Sequence, residues 1–479
     1  MAIPIVNVSQ VREWENATWS AGISQEDVIR KAGGQVAYYA QKMTEEGNKI
    51  LIIAGKGHNG DDAIQCGEQL RDREVKIIRV IDAAKAISEI KSILNQNYAL
   101  VIDGLFGIGL NRQLDDKYCE LINLINQIKA PKLAVDVPSG LNVETGETMG
   151  AVVQADATVT LGVVKKDMLR TGAAKYVGRL YVAPEIGLIP YKFKTDSFWT
   201  TADDFVGFPP ARTVTNHKGS FGHLLIIAGS FGYHGAAVLA AKSAQKAQPG
   251  LITLLTTPDV YTPIASQLSQ VMVNVWDPFF SIPEKTTAIM IGPGLASRGV
   301  SSGLTDFCRK IWDSFPFPVC IDASALDWLQ EQKVNSSAPR IITPHPGEAA
   351  RMLKISTEEV LSDRIGSLRK LSKRYGNCYV VLKGHQTIVG NSESEIFFNS
   401  SGNPHLAQGG AGDVLSGYLG GFIAQPLLQA DILKTIRYAV WNHGFTADFL
   451  QKDFKRWTIE ELISTLGCKI NEKEIVFKF

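Results

Sequence analysis

The sequence predicts an α/β protein with two doubly wound domains, the first of them a Rossmann-like three-layer sandwich. Short apolar runs alternate with longer stretches of helical period in both halves of the chain, a pattern typical of βαβ units around a parallel sheet. The 479 residues exceed one ordinary core. The alternation stops around 184–215, where prolines accumulate. We therefore expect one domain over residues 1–205 and a second over residues 206–479.

The apolar runs are predicted to be the strands of the two sheets. Those of the first half are Ile50–Ala54, Val75–Ile81, Ala99–Ile102, Lys132–Val135 and Ala157–Leu161. Those of the second half are Leu224–Ala228, Leu251–Leu255, Ala288–Ile291, Val319–Ile321, Arg340–Ile342 and Tyr379–Leu382. Helical period marks intervening stretches such as Asp62–Asp72 and Asp116–Lys129. Because ligands bind beyond the carboxyl ends of parallel strands, the residues after each run are the candidates for chemistry.

Composition excludes several classes of protein. Hydrophobic residues make up 45% and charged residues 20%, which is the balance of a globular protein rather than a disordered or fibrous one. The net charge of +1 provides no broad basic field, so neither a nucleic acid nor a membrane is expected as a partner. No apolar run approaches a membrane span of about 20 residues. The six cysteines form no Cys-x-x-Cys pair, which favours free thiols in a cytoplasmic protein.

A glycine turn follows the first apolar run. Gly55-Lys56-Gly57-His58-Asn59-Gly60 has the Gly-x-Gly-x-x-Gly spacing between a strand and a helix, and Asp82 follows about 20 residues later. Taken alone, this pattern is compatible with a nicotinamide-dependent dehydrogenase. It is equally compatible with a turn that needs glycine only for its geometry.

Two more loops of the first half carry oxygen-bearing side chains after strands. Asp103 begins Asp-Gly-Leu-Phe-Gly-Ile-Gly-Leu, and Asp136 begins Asp-Val-Pro-Ser-Gly-Leu, which contains Ser139. With Asn59, these residues are predicted to converge at one edge of the sheet. Oxygen ligands alone favour a hard cation. Either aspartate taken singly is also compatible with a helix cap.

These loops together resemble the NAD(P)H-hydrate epimerase domain, the N-terminal half of bifunctional NAD(P)H-hydrate repair enzymes. The resemblance implies a K⁺ site formed by Asn59, Asp103 and Ser139. It implies that Asp136 moves a proton or opens the hydrated ring, with Lys165 nearby. The residues that it implies face the hydrated nucleotide are His58, Asn59, Gly60, Asp61, Asp62, Gly107, Ile108, Gly109 and Asp136.

The first loop departs from the family pattern. His58 stands in place of Asn, while Asp61 and Ala63 stand in place of Gly, and Arg30 replaces an acid. If position 61 requires a positive φ, a side chain there is strained. The N-terminal domain therefore has two interpretations, an epimerase or a non-catalytic binding domain.

The second half contains a glycine loop at a predicted helix N-terminus. Gly409-Gly410-Ala411-Gly412-Asp413 precedes a stretch whose apolar residues share one helical face. Amide groups and the helix dipole stabilise anions at such a position. Asp413 is either a helix cap or, as we favour here, a base aimed at a hydroxyl beside a polyphosphate.

Further loops of the second half belong with it. His217-Lys218-Gly219-Ser220-Phe221-Gly222-His223 leads into a strand, and Thr343-Pro344-His345-Pro346-Gly347-Glu348 follows another. Lys383-Gly384-His385-Gln386-Thr387 places a cation at a strand end. Gly292-Pro293-Gly294 allows close approach of a ligand. No Gly-x-x-x-x-Gly-Lys-Ser/Thr motif occurs, so a P-loop enzyme is not expected.

In this order, the motifs resemble the ADP- or ATP-dependent NAD(P)H-hydrate dehydratases of the ribokinase-like superfamily. The resemblance implies Asp413 as catalytic base and Mg²⁺ with the nucleotide. For the hydrate it implies Ala236, Gly294, His345 and Asp413. For ADP or ATP it implies Lys383, Gly384, His385, Gln386, Thr387, Gly409, Gly410, Ala411 and Gly412. Ala411 stands where the family usually has Thr.

The leading hypothesis is therefore repair of NADHX and NADPHX, the hydrates of NADH and NADPH. The C-terminal domain would dehydrate the S hydrate, and the N-terminal domain would interconvert R and S. The alternatives are an ATP-dependent sugar or vitamin kinase with a non-catalytic N-terminal domain, and a dehydrogenase. The resemblance also implies a homo-oligomer. The residues do not distinguish ADP from ATP or NADH hydrate from NADPH hydrate.

Overall fold

The computed structural model describes residues 2–296, 300–331, 334–453 and 456–468. The chain divides into two compact units. One unit comprises Ile3–Trp199, and the other comprises the described residues from Thr200 onward together with Ala2. Within the described parts of the chain, no helix is both long enough and apolar enough to cross a membrane.

The first unit is built on a six-stranded parallel sheet of order β3-β2-β4-β5-β6-β8. Its strands, including three short ones outside this sheet, are β1 Ile3–Val6, β2 Lys49–Ala54, β3 Glu74–Arg79, β4 Leu100–Gly104, β5 Lys132–Val135, β6 Ala157–Leu161, β7 Val164–Lys165, β8 Arg179–Ala183 and β9 Ser197–Trp199. Its helices are α1 Val8–Ser20, α2 Gln25–Met43, α3 His58–Gln69, α4 Ala83–Ile93, α5 Asp116–Gln127 and α6 Ala174–Val177.

Both faces of this sheet are apolar. In β2, Ile50, Ile52 and Ala54 pack in one core, which also contains residues of α2 and α3. The intervening Leu51 and Ile53 pack in a second core with residues of α4 and α5. Because successive strand side chains point to opposite faces, a continuous apolar run demands cover on both sides. The predicted three-layer α/β sandwich is confirmed.

The strand order of the first unit reverses between β2 and β4. The chain leaves β2 toward β3 on one side, then returns to add β4, β5 and β6 on the other. A crevice forms at such a switch point, outside the carboxyl ends of the strands. The loops that begin at Gly55 and Asp103 meet there, since Gly55 donates its N–H to the carbonyl of Gly104 at 3.0 Å.

The second unit contains a sheet of order β12-β11-β10-β13-β14-β15-β16-β17-β18. Pairing is parallel from β12 to β16 and antiparallel for β17 and β18. The strands are β10 His223–Ile227, β11 Leu251–Thr256, β12 Met272–Val275, β13 Ala288–Ile291, β14 Val319–Ile321, β15 Arg340–Ile342, β16 Tyr379–Leu382, β17 Ile388–Gly390 and β18 Ile396–Phe398. The helices are α7 His234–Lys246, α8 Tyr261–Ala265, α9 Ser302–Ser314, α10 Pro346–Leu353, α11 Thr357–Ser362, α12 Arg364–Arg374, α13 Ala411–Ile423, α14 Pro426–Gln429, α15 Ile432–Asp453 and α16 Ile459–Thr465.

Helix α13 is buried within the second unit. Its predicted apolar face is confirmed, because Val414, Leu415, Tyr418, Leu419 and Phe422 are all buried. A Cβ on Gly417 would lie only 2.0 Å from the carbonyl oxygen of Ala240, so glycine lets α7 approach closely. This packing fixes the direction of α13 and therefore the place of the glycine loop at its start.

The order of this second sheet also reverses, between β10 and β13. Gly229, after β10, donates to the carbonyl of Pro293, after β13, at 2.9 Å. The side chain of Ser230 donates to the carbonyl of Gly294 at 2.7 Å. The second unit therefore has its own switch-point crevice, lined by these two loops.

Candidate active sites

In the first unit, Asp103 and Ser139 are joined by hydrogen bonds. The Ser139 hydroxyl donates to Asp103 Oδ1 at 2.6 Å, and the Ser139 amide donates to Oδ2 at 2.8 Å. Ser139 Oγ accepts from the amide of Phe106 at 2.8 Å, and the carbonyl of Phe106 accepts from Asn59 Nδ2 at 2.9 Å. The three residues predicted for a cation are thus brought together through Phe106.

The chemistry of these donors fits K⁺. The Asp103 carboxylate is completely buried, and among the described residues no cationic side chain forms an ion pair with it. Burial raises the pKa of Asp103 to about 6, although hydrogen bonds from Ser139 and Leu105 oppose this. A buried carboxylate among hydroxyl, amide and carbonyl oxygens provides the hard ligands that such a cation prefers.

Asp136 is held by a buried lysine. The residue has a left-handed backbone with φ of +63°. Its Oδ1 accepts a short hydrogen bond from Lys165 Nζ and one of 2.9 Å from the Leu161 amide. Lys165 is 1% exposed and also donates to Thr160 Oγ1 at 3.0 Å. Asp136 is therefore a paired carboxylate rather than a helix cap, and Lys165 is part of the same site.

Two further acids have unusual electrostatics beside this pair. Burial, followed by the charge of Asp136, raises the pKa of Asp62 well above its usual value. The same two causes raise the pKa of Glu15 on α1, while Lys165 and His58 lower it. Glu15 was not predicted, because a single acid on an amphipathic helix gives no signal in the sequence.

The substitutions in the glycine loop fit the local backbone. Asp61 lies within α3 and does not have a positive φ, so the strain considered for that position is absent. Its carboxylate faces Arg79 at 3.4 Å. Ala63 packs against position 104, where a Cβ would come within 2.5 Å of the Ala63 methyl group, so Gly104 makes room for it.

The other predicted residues of this site occupy the same loops. His58 begins α3 and is exposed, while Gly60 is buried against the backbone of Gly55. A Cβ on Gly107 would lie 3.1 Å from Asn59 Cβ, whereas Gly109 faces open space and Ile108 is half-buried. Asp82 is the N-cap of α4 and accepts from the Lys85 amide at 3.1 Å.

In the second unit, Asp413 lies in the first turn of α13 but does not cap it. The N-cap is Gly410, whose φ of +96° is left-handed. The Asp413 carboxylate has no hydrogen-bond partner among the residues that the structure describes. Burial, and then the charge of Asp322, raises its pKa to about 6, although Lys383 opposes this. Asp413 therefore places at a helix N-terminus a carboxylate that accepts no hydrogen bond from the described residues.

Lys383 lies beside this carboxylate. Its Nζ is 2.7 Å from Asp322 Oδ1 and 3.8 Å from Glu348 Oε2. A Cβ built on Gly412 would lie 3.6 Å from the same Nζ. Burial alone would lower the pKa of Lys383, but Asp322 and Glu348 outweigh it and raise the pKa. The lysine therefore carries its charge next to the glycine loop.

Asp322 is a residue of this site that was not predicted. It is 1% exposed and accepts from Lys383 and, through a short hydrogen bond, from Ser416 on α13. Burial would raise its pKa, but Lys383 and the hydrogen bonds from Ser416 and Thr343 lower it. A signal was present in the sequence, because Asp322 directly follows the apolar run Val319–Ile321.

The remaining predicted loops lie around these residues. His345 is the N-cap of α10, where its Nδ1 accepts from the amide of Gly347 at 3.0 Å. Gly294 and Ala236 are neighbours, since a Cβ on Gly294 would lie 3.1 Å from the Ala236 methyl group. Gly384 and His385 are exposed, and Thr387 Oγ1 donates to the Gly384 carbonyl at 3.1 Å.

The second unit has the fold of the ribokinase-like class. It is similar to a ribokinase-like superfamily protein from Enterococcus faecalis, with a TM-score of 0.50 at 23% identity, covering 58% of this chain and 97% of that one. A NAD(P)H-hydrate dehydratase from Bacillus subtilis, co-crystallised with ATP and Mg²⁺, is 28% identical with a TM-score of 0.49, covering 54% and 91%.

The family is shown by the sequence comparisons. A family model described as NAD(P)H-hydrate dehydratase matches residues 224–469, and a model of the YjeF-related protein N-terminus matches residues 25–89 and 80–167. A bifunctional NAD(P)H-hydrate repair enzyme of Coxiella burnetii is 32% identical over 92% of this chain and 93% of its own length. The chain belongs to the family of bifunctional NAD(P)H-hydrate repair enzymes. This membership supports the repair hypothesis and not the kinase alternative.

Proposed function

We propose that the C-terminal unit dehydrates the S hydrate of NADH or NADPH at the expense of ADP or ATP, with Asp413 as the base. One observation carries this proposal above all others. Asp413 is a half-buried carboxylate without a hydrogen-bond partner in the described structure, beside Lys383 at a helix N-terminus. A carboxylate whose pKa is about 6 is ionised at neutral pH and still basic enough to accept a proton.

The reaction then proceeds in two stages. Asp413 accepts the proton of the ring hydroxyl while that oxygen attacks the terminal phosphoryl group of the nucleotide. The bond from that phosphorus to the bridging oxygen breaks, and the Gly410–Gly412 amides and Lys383 stabilise the negative charge. In the second stage the phosphate leaves with its bonding electrons, a neighbouring ring carbon loses a proton, and the ring double bond is restored.

The other predicted residues bind the substrates in this account. Lys383, Gly384, His385, Gln386, Thr387 and the loop from Gly409 to Gly412 hold ADP or ATP. Mg²⁺ bound with the nucleotide would neutralise phosphate charge. Gly294 and Ala236 accept the hydrate at the switch point between β10 and β13, and the exposed His345 lies on a neighbouring loop. The contacts among these loops support the assignment.

For the N-terminal unit, we propose epimerisation of the R and S hydrates, with Asp136 moving the proton. Asp136 is 8% exposed and forms an ion pair with Lys165, which fixes the position of the Asp136 carboxylate. Asn59, Asp103 and Ser139 would hold K⁺, which would supply a fixed positive charge near the substrate. The absence of strain at Asp61 and the fit of Ala63 support an active site rather than a degenerate one.

The setting of the reaction follows from the substrates. Nicotinamide nucleotides and ADP or ATP are partners found together in the cytoplasm, where the free cysteines would remain reduced. We therefore place the enzyme there, acting on NADHX and NADPHX. The resemblance to the family further supports assembly as a homo-oligomer, which sedimentation of the purified chain would test.

The direct test of the dehydratase uses the pure S hydrate of NADH with Mg²⁺ and either ADP or ATP. We expect one NADH and one phosphate for each hydrate and nucleotide consumed, followed by absorbance and a phosphate assay. A stable phosphorylated product without NADH would contradict the proposal and favour a kinase. Matched reactions with Asp413→Asn would show whether the NADH formed comes from this site.

A further inference from the structure

Arg364 is a half-buried cation that none of the roles above uses. It is the first residue of α12, and its Nη2 donates to the carbonyl of Gln386 at 2.8 Å. Gln386 belongs to the loop proposed to hold ADP or ATP, and its φ of +51° is left-handed. The guanidinium therefore contacts the backbone of this loop three residues beyond Lys383.

This guanidinium has no counter-ion among the residues that the structure describes. In the described ranges of the chain, no carboxylate lies within ion-pair distance of Arg364, and the bond to Gln386 is its one hydrogen bond to protein. Burial lowers the pKa of Arg364 to about 10, so it remains protonated at neutral pH. A buried charge is costly unless an opposite charge or several hydrogen bonds compensate for it.

A second arginine, Arg340, shows how many hydrogen bonds a structural guanidinium donates in this chain. Arg340 is 3% exposed, and burial lowers its pKa to about 10 as well. Its Nε, Nη1 and Nη2 donate to backbone carbonyls of Trp312, Phe315, Phe317, Ala338 and Pro339. Arg340 is thus saturated by the protein, whereas Arg364 keeps most of its donors available.

The same loop contains an unsatisfied acceptor. Gln386 is 9% exposed, and its Oε1 is buried without a hydrogen-bond partner among the described residues. Nearby, Gly384 has a φ of +141°, and no atom lies within 4 Å of a Cβ built on it. The Gln386 loop therefore combines a contact with a guanidinium that has unused donors, a buried acceptor without a partner in the described structure, and open space beside Gly384.

We propose that Arg364 binds the phosphate nearest the ribose of ADP or ATP, while Gln386 Oε1 accepts a hydrogen bond from a ribose hydroxyl. This inference rests on the proposed function of the second unit. Lys383 is already paired with Asp322 and lies at the glycine loop, where the terminal phosphoryl group reacts. A second cation is needed along the polyphosphate, and the guanidinium fork matches a phosphate group.

The test measures binding of three probes to the full chain by calorimetry: ADP, inorganic tripolyphosphate and adenosine. In Arg364→Gln we expect ADP and tripolyphosphate to bind about ten- to a hundredfold more weakly, while adenosine changes by less than about twofold. Arg369→Gln is the matched control, because Arg369 lies on the same helix and donates to the Ser392 carbonyl at 2.9 Å. We expect it to bind all three probes like the wild type.

Two results would overturn the inference. Unchanged binding of tripolyphosphate would remove the phosphate contact, and an equal loss for adenosine would mean that Arg364 only shapes the loop. If Arg364→Gln does not fold, Arg364→Lys retains the charge without the fork, and a weakening of about three- to tenfold for ADP is expected. Wild-type affinity in that variant would count against us. Turnover of the hydrate is assayed separately, so failure of the dehydratase proposal is distinguishable.

Discussion

Asp413 acquires its chemistry from its surroundings rather than from its identity as an aspartate. Burial and the charge of Asp322 favour its protonated form, while Lys383 favours the ionised form. Together they give Asp413 a pKa of about 6, and its carboxylate accepts no hydrogen bond from the described residues. Such a group is matched to proton abstraction near neutral pH.

Replacement of Asp413 by Asn should remove the base without removing the nucleotide site. We expect kcat for dehydration to fall by about 10²- to 10⁴-fold, the usual worth of a positioned acid or base. The affinity for ADP should change only a few-fold. In the wild type, kcat should decline as the pH falls through about 6, because protonated Asp413 cannot accept the proton. A pH-independent rate between pH 5 and pH 7 would contradict this role.

Asp322 should act on Asp413 through charge. In Asp322→Asn, one negative charge is lost and Lys383 loses its partner, so both changes favour ionised Asp413. We therefore expect the acid limb of the kcat profile to move to lower pH, together with a lower kcat. Thermal unfolding of the same variant separates this effect from loss of fold. If the acid limb stays near pH 6, Asp322 does not affect the pKa of Asp413 and its role is structural only.

At this scale the sequence pointed to the residues proposed to react more readily than to the charged residues around them. Lys383, Asp103 and Asp136 follow apolar runs, and strand ends meet at one edge of a sheet. Asp322 was missed although it obeys the same rule. Asp413 was found by a different signal, the glycine loop that precedes it at a predicted helix N-terminus. Arg364 was missed for a physical reason, because a guanidinium at a helix start reaches its carbonyl partner only through tertiary contact.

At the scale of elements, the loop before α13 depends on glycine for two different reasons. Gly410 has a φ of +96°, and a Cβ there would also lie 2.6 Å from Leu239 Cδ1. Gly409 has neither problem, since nothing lies within 4 Å of its Cβ position. The anion site thus needs one particular left-handed residue at its N-cap rather than glycine throughout.

Gly410→Ala should therefore be destabilising, whereas Gly409→Ala should be much less so. An L-residue in the left-handed region costs about 1–2 kcal/mol, and displacement of Leu239 adds to this. We expect a lower unfolding temperature and weaker ADP binding in the first variant, measured by calorimetry side by side with the second. Equal unfolding temperatures for the two variants would contradict the geometric account of this cap.

In the first unit, Ser139 connects the loops after β4 and β5. Its side chain accepts from Phe106 and donates to the buried Asp103. Ser139→Ala should leave that carboxylate partly unsatisfied, at a cost of about 1–3 kcal/mol, and should raise its pKa further. We expect a lower unfolding temperature and a smaller stabilisation by KCl relative to NaCl. A KCl effect equal to that of the wild type would count against the proposed cation site.

The strands illustrate which elements a sequence can reveal. Lys132–Val135, Ala157–Leu161 and Val319–Ile321 have the predicted bounds, because buried parallel strands are continuous apolar runs. Strand β12 was not predicted, since it pairs only with β11 and half of its residues are exposed. Strand β17 was not predicted either, because a run of three residues is too short to give a strand pattern in the sequence.

At the scale of the whole molecule, the two α/β units share one type of sheet but have different side chains at their candidate sites. Each sheet reverses its order once, and each candidate site lies at the carboxyl ends of its strands. The first site contains a buried acid–lysine pair, Asp136 and Lys165, and a hydrogen-bonded pair of oxygen-bearing side chains, Asp103 and Ser139. The second places the Asp413 carboxylate and the Lys383 cation at the N-terminus of α13, an arrangement that supports the phosphoryl transfer proposed above. Alternation of strands and helices predicted both folds, whereas the chemistry depended on individual loops.

We propose that one chain repairs both epimers of hydrated NADH, and a reaction in which each epimer is followed separately tests this. A mixture of the R and S hydrates is incubated with Mg²⁺, K⁺ and either ADP or ATP, and both epimers and NADH are quantified by chromatography. We predict rapid loss of S, loss of R well above its spontaneous rate, and NADH equal to the sum. Persistence of both epimers without NADH, with either nucleotide, would contradict the account.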